Sequence, residues 1–209
     1  MSSGSQQGRL RVRVAVFACV VAVAVVIDQF TKAWAQTALA DGRTIPVVPG
    51  LLSLTLVHNP GASLGMGSNA TWVITLLAMV ACVVLVVLSV RAISMRWTVS
   101  LSLAFAGAFG NLIDRVAYAD GFLNGKVVDF LNYGWSVGNI ADVYLSVAGI
   151  AIVVLILLGV PFSQKELDEF NAYVDANLSD ASADAADESM ADSPSPTDGG
   201  ESEQEEPTR

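Results

Sequence analysis

Apolar positions fall into four long stretches separated by short polar breaks. The first runs from Val14 to Ile27 and continues less purely to Ala35. The second, Ala70–Val90, has 21 residues and no charge, and the third runs from Trp97 to about Ile113. The fourth, Asn139–Val160, has 22 residues and one acid, Asp142. At a helical rise of 1.5 Å, 22 residues extend about 33 Å, enough for a hydrocarbon core of about 30 Å. The pattern predicts four transmembrane helices over about 14–35, 70–90, 97–114 and 139–160. The first and third cross only if Asp28/Lys32 and Asn111/Asp114 sit at the interface. Arg9, Arg11 and Arg13 before an apolar run, with Ala33-Trp34-Ala35 after it, share the outline of a cleavable signal peptide. Asp28, Gln29 and Lys32 lie between the run and that point, so the segment is read as a retained span. In the third stretch Ala104, Ala106, Gly107, Ala108 and Gly110 form a small-residue face for close helix packing.

The connections differ in character. Thr44–Val57 is rich in β-formers and interrupted by Pro46, Pro49 and Gly50, which predicts short strands at the membrane surface. His58-Asn59-Pro60-Gly61 reads as a turn. Gly121–Gly138 reads as a loop containing a short strand. The expected fold is an all-α membrane protein of four spans with a small β-rich extracytoplasmic cradle. Residues 1–13 form a basic N-terminus, 14–160 the membrane domain and 161–209 an acidic tail. In the tail, Ser163 and Glu166 have capping-box spacing, and Leu167, Phe170, Val174 and Leu178 recur at helical intervals. One short amphipathic helix is expected there, with disorder beyond about Ser179 because the composition turns to Ala, Ser, Asp, Glu and Pro.

Charge sharpens this division. The chain is 53% apolar and only 15% charged, against roughly 25% charged for a soluble domain. Its net charge of −9 averages two unlike parts. Residues 163–209 carry fourteen acids and two bases, whereas residues 1–162 carry six acids and nine bases. So few charges cannot clothe the body in water, which excludes a soluble globular enzyme and a nucleic-acid binder. The basic residues Arg9, Arg11, Arg13, Arg91, Arg96 and Lys165 flank helix ends that share one side of a four-span topology. By the positive-inside rule both termini are cytoplasmic. The two cysteines, Cys19 and Cys82, lie in apolar runs and read as buried thiols.

The six acids of the body are not scattered under this topology. Asp28, Asp114 and Asp142 fall at the outer ends of helices 1, 3 and 4, and Asp129 lies in the loop between the last two. Only Asp41 and Asp120 read as ordinary loop acids. Ionisable groups at membrane depth are costly and mark functional sites. Asp28 and Lys32 are spaced i,i+4 for an ion pair. Asp114 adjoins Arg115, which offers a bidentate partner. Asp129 and Asp142 have apolar sequence neighbours, which raise a carboxyl pKa, and two carboxylates in one site raise it further. They are the candidates for a dyad that activates water with one member and protonates a leaving group with the other.

Other chemistries fit less well. His58 is the only histidine and no G-x-S-x-G element occurs, so a serine triad lacks parts. Zinc needs more His or Cys ligands than exist, while magnesium on the four carboxylates is the remaining metal alternative. A proton- or ion-coupled transporter also uses intramembrane acids, but near the midplane on broken helices. A membrane scaffold would need none of them.

The same residues resemble a known family. In order, Asp28-Gln29-Phe30-Thr31-Lys32, Asn59-Pro60-Gly61-Ala62-Ser63-Leu64-Gly65, Gly110-Asn111-Leu112-Ile113-Asp114-Arg115, Val127-Val128-Asp129-Phe130 and Asn139-Ile140-Ala141-Asp142 resemble the motifs of the lipoprotein signal peptidase (signal peptidase II) family. The match covers roughly residues 12–160. The resemblance implies an aspartyl endopeptidase of the bacterial inner membrane that cuts diacylglyceryl-modified prolipoproteins before the lipid-bearing Cys. It implies Asp129 and Asp142 as the catalytic pair, with no cofactor or metal. Asp28, Lys32, Asn59, Gly61, Asn111, Asp114, Arg115, Asn139 and Ala141 match positions that line or brace the family's site. The expected partners are the prolipoprotein substrate and membrane lipids, with the enzyme a monomer. Ser63 and Leu64 depart from the family's frequent Ala and aromatic, and Gly138 from its Phe, which bears on pocket shape.

Overall fold

The computed structural model describes residues 3–61 and 70–191. The expected positions Ala62 to Gly65, including the departures Ser63 and Leu64, lie outside the described residues, as does the tail beyond 191. The chain forms two compact units, residues 1–164 and 165–209. The first contains helices α1 (Ser3–Ala38), α2 (Thr71–Arg91), α3 (Met95–Ala117) and α4 (Ile140–Leu157) and strands β1 (Ile45–Val48), β2 (Leu52–Asn59), β3 (Val127–Asn132) and β4 (Val137–Gly138).

The outward faces of α1, α2 and α4 are apolar. Val23, Val26, Phe30, Leu77, Val83, Ile150, Val153 and Leu157 are all exposed, an arrangement that is stable only where the surrounding medium is itself apolar. Among the described residues three helical segments are long and apolar enough to cross a membrane: Arg9–Ala38, Thr71–Arg91 and Ile140–Leu157. α3 has the length, 23 residues, but its sequence carries Arg96, several hydroxyls, Asn111, Asp114 and Arg115. It packs against α1, α2 and α4 and buries most of these groups instead of exposing them.

Small residues make that packing possible. A Cβ on Gly107 would lie 2.5 Å from the Ala141 carbonyl oxygen, and one on Gly110 would lie 2.5 Å from Asp28 Oδ2. The small-residue face of α3 is therefore a contact face, as its spacing predicts. Ser94 caps α3, its hydroxyl accepting from the Trp97 amide at 3.4 Å, and the three residues 92–94 turn the chain from α2 into α3. Below that turn Ala92, Trp97, Leu101 and Leu155 form a buried apolar cluster. Trp97 meets Phe162 edge-on at 5.2 Å and donates its indole N–H to the Val160 carbonyl, which supplies the partner a buried indole needs.

At the opposite end the four strands form one antiparallel sheet in the order β1-β2-β3-β4. The predicted β-rich segment is thus a hairpin, Ile45 facing Leu54, that continues into β3 through Val57–Asp129, His58–Val128 and Asn59–Val127. His58 and Asn59 end a strand and do not open a turn as expected. The sequence turns only at Pro60-Gly61, because ladder pairing with β3 outweighs the local turn propensity of Asn. The connection before α4 likewise holds two strands where one was expected. A second cluster, Ala35, Leu39 and Phe130, with Ile45, Leu54 and Ile140 against it, fastens the sheet to α1 and α4.

In the second unit, helix α5 (Gln164–Ala191) runs past Ser179, where order was expected to end. Ala-rich spacing sustains the helix through the acidic stretch. Phe170, Tyr173 and Leu178 on it are exposed. Of the cysteines, Cys82 is buried as expected, but Cys19 is exposed on the outward surface of α1.

Candidate active site

The site forms where the C-terminal half of α1 and the end of α3 meet β3 and the start of α4. Lys32 is its central cation. The ammonium, 2% exposed, lies 2.9 Å from Asp28 Oδ2 and 2.8 Å from Asp114 Oδ2, and donates to Asn111 Oδ1 at 3.0 Å. The predicted Asp28–Lys32 pair is present, since i,i+4 spacing puts both on one helix face. The predicted Asp114–Arg115 pair is not. Consecutive helical residues point about 100° apart, and Asp114 turns to Lys32 while Arg115 donates to the Gly61 carbonyl at 2.6 Å. The second terminal nitrogen of Arg115, Nη1, is buried without a hydrogen-bond partner among the described residues.

The two structural acids organise backbone as well as charge. Asp28 Oδ1 accepts from the Ala141 amide at 2.9 Å, so α1 holds the first turn of α4. Asp114 Oδ2 accepts from the Val128 amide at 3.2 Å, so α3 holds β3. Gln29 joins them, its amide nitrogen lying 3.1 Å from Asp28 Oδ2, Asp114 Oδ1 and the Gly110 carbonyl. Gln29 is the residue that sequence reasoning missed. It stands inside the Asp28–Lys32 motif, but only as a carboxamide beside Asp28 within an apolar helix.

The remaining acids converge on one asparagine. Asn139 Nδ2 donates to Asp129 Oδ1 at 2.7 Å, and the Asn139 backbone amide donates to Asp142 Oδ2 at 3.0 Å. Asn139 Oδ1 in turn accepts from the Asp142 amide at 3.1 Å, which makes Asn139 and Asp142 a reciprocal capping box at the start of α4. Asp129 Oδ2 accepts from Asn59 Nδ2 at 2.9 Å, and Asp142 Oδ1 from Asn111 Nδ2 at 2.9 Å. Asn111 Oδ1 also accepts from Asn139 Nδ2 at 3.0 Å. Asn59 orients the neighbouring chain by accepting from the Gly61 amide at 2.9 Å. All eleven sequence-selected positions are therefore connected through one network of hydrogen bonds, and Ala141 and Gly61 contribute backbone groups to it. Gly138 lies against the site: a Cβ there would sit 2.8 Å from Asp142 Oδ2.

The electrostatics single out Asp129. It is 2% exposed, and its carboxyl is pushed up to about 6, chiefly by burial and further by the Asp142 charge, while the Asn59 and Asn139 hydrogen bonds hold it down. Four carboxylates stand against two cations, Lys32 and Arg115, so an added proton relieves repulsion in the cluster. Asp142 is half-buried and lies in the first turn of α4. Among the described residues no group of three or more His, Cys, Asp or Glu side chains is placed to hold a metal ion.

The chain is similar to known proteins. Residues 20–158 match the family described as Signal peptidase (SPase) II. A lipoprotein signal peptidase of Bifidobacterium adolescentis is 69% identical over 185 residues, covering 87% of this chain and 99% of that protein. One of Mycobacterium avium is 39% identical over 155 residues, covering 74% of this chain and 83% of that protein. A bacterial membrane enzyme solved by the in meso method at 2.3 Å is 31% identical with a TM-score of 0.62, covering 68% of this chain and 88% of that one. The matched segment runs from within α1 to the end of α4 and includes every residue of the network, so this integral membrane protein belongs to the signal peptidase II family.

Proposed function

We propose that the chain is a membrane aspartyl endopeptidase that removes the signal peptide from diacylglyceryl-modified bacterial prolipoproteins, cutting before the lipid-bearing Cys. The observation that carries this reading is the tie of Asp129 and Asp142 to the single residue Asn139, one carboxylate buried and the other half-exposed. Asp142 removes a proton from a water molecule as its oxygen attacks the scissile carbonyl carbon. Asp129, whose pKa is raised, gives its proton to the carbonyl oxygen; Asp142 then passes the proton taken from water to the departing amide nitrogen as the C–N bond breaks, and a hydroxyl of the collapsing diol returns a proton to Asp129. Lys32, Asp28, Asp114 and Gln29 hold the elements that carry the pair. Asn59, Gly61, Asn111, Arg115 and Ala141 brace or line the site.

In this reading α1 to α4 all cross the membrane, α3 shielded by the other three. Both termini are cytoplasmic, the dyad lies near the extracytoplasmic face, and the sheet forms the cradle above it. The enzyme is a monomer in contact with membrane lipid and its lipidated substrate. The clustering of acids at one end of the helices favours this over a transporter, which needs them near the midplane.

Purified protein incubated with a lipidated prolipoprotein should release the signal peptide, read as a mass shift. No cleavage by folded protein would overturn the reading. Cleavage of the non-lipidated precursor at the same rate would remove the case for lipoprotein specificity.

A further inference from the structure

At the other end of α3 lies a groove that the site does not use. Met95, Val99, Ala151, Val154 and Leu155 line an open cavity of about 450 Å³ between the first turns of α3 and the last turns of α4, with the exposed Arg96 beside them. Ser100 also borders it, but its hydroxyl already donates to the Arg96 carbonyl at 3.0 Å. The groove therefore asks for an apolar occupant along its length. Arg96 asks for an anion at its end, and so does the first turn of α3, where the helix dipole is positive.

Nothing nearby in residues 1–164 answers that charge. The six acids of this segment are Asp28, Asp41, Asp114, Asp120, Asp129 and Asp142; four are in the carboxylate site, and the other two lie in the loops after α1 and α3. No ion pair involves Arg96 among the described residues. Two more cations lie at the same end of the helices. Arg91 is in the last turn of α2, and Arg13 donates to the Ile93 carbonyl at 3.0 Å while its Nε is buried without a partner among the described residues. Eighteen residues of helix separate Arg96 from Asp114, a rise of about 27 Å, close to the thickness of a hydrocarbon core. If one end of α3 is at one membrane surface, Arg96 is at the other, level with lipid phosphates.

We infer that this groove binds one anionic phospholipid, with an acyl chain lying between α3 and α4 and its phosphate on the Arg96 guanidinium. The inference rests on α3 being a membrane span and is independent of the peptidase chemistry. A zwitterionic lipid offers the same chain but no net charge to Arg96, so the headgroup sets the preference. Basic residues near a membrane surface attract anionic lipid by about 1 kcal/mol each, a factor of about five in binding.

The test reads lipid retention and needs no substrate, so its failure is distinct from failure of the proposed activity. Full-length protein in detergent is titrated with phosphatidylglycerol or phosphatidylcholine of matched chains, and bound lipid is counted by native mass spectrometry. The wild-type protein should retain one phosphatidylglycerol with about fivefold preference. Arg96→Gln should erase the preference, whereas Arg91→Gln, outside the groove lining, should keep it. Ala151→Phe should fill the groove and lose the retained lipid of either class. Inorganic phosphate should not displace the lipid. Unchanged preference in Arg96→Gln, equal loss in Arg91→Gln, unchanged retention in Ala151→Phe, or displacement by phosphate alone would each overturn the inference.

Discussion

The two ends of α3 are built on opposite principles. At its start, Trp97 and Leu101 join Ala92 and Leu155 in an apolar cluster, and the nearby Arg96 and Arg91 remain exposed. At its finish, Asp114 and Arg115 are buried with Asp28, Lys32, Asp129 and Asn139. The first end gains stability from burial and asks little of geometry. The second removes charges from water, which is favourable only when every partner is in place. The two ends should therefore respond differently to substitution.

The largest contrast lies in the dyad. Asp129→Asn and Asp142→Asn should each lower cleavage by about 10³-fold or more, and under the proposed joint action the double variant should be hardly worse than either. Asp129→Asn also turns one hydrogen-bond acceptor into a donor facing Asn59 or Asn139, so its stability gain from losing a buried charge is partly offset. Substantial cleavage by both single variants would break the comparison.

Next comes Lys32. Lys32→Ala removes the shared partner of Asp28 and Asp114, and a stranded buried charge costs about 3–5 kcal/mol. Thermal unfolding in detergent should show a much larger loss than Arg115→Ala, whose side chain holds a backbone carbonyl. Equal losses would mean that the two cations are interchangeable.

At the apolar end Leu155→Ala should cost about 2–5 kcal/mol, with the kcat/KM and its pH profile unchanged once the protein is folded. A shifted profile would show the ends to be coupled.

The smallest effect is in pH. With Asp129 at about 6, kcat/KM should fall as pH rises through that value, because the protonated acid is lost. The same group lowers stability as pH rises from its ordinary 3.8 to about 6, since the folded site binds the proton more tightly than the unfolded chain does. Asp129→Asn should flatten that part of the melting curve. A slope unchanged in the variant would assign the pH dependence to another group.

Much of this was legible in the residue order. Long apolar runs must form helices in lipid because every backbone group has to be satisfied internally, so the four helices and the acids at their ends follow from spacing alone. The Asp28–Lys32 pair follows from one helical turn. The partner of Asp114 did not, because adjacency along a helix separates side chains and Lys32 reaches Asp114 only across the α1–α3 contact that Gly110, set against Asp28, permits. The role of Asn139 was equally hidden. Its motif marked it as a site residue, but only the approach of β3 to the first turn of α4 lets its side chain reach Asp129 while its amide reaches Asp142. Gln29 was unremarkable until three acceptors closed around it. Local sequence determined the elements because hydrogen bonding and hydropathy act over a turn or a span. The tertiary structure decided which buried polar groups meet, because a charge withdrawn from water takes whatever partner the packing brings to it.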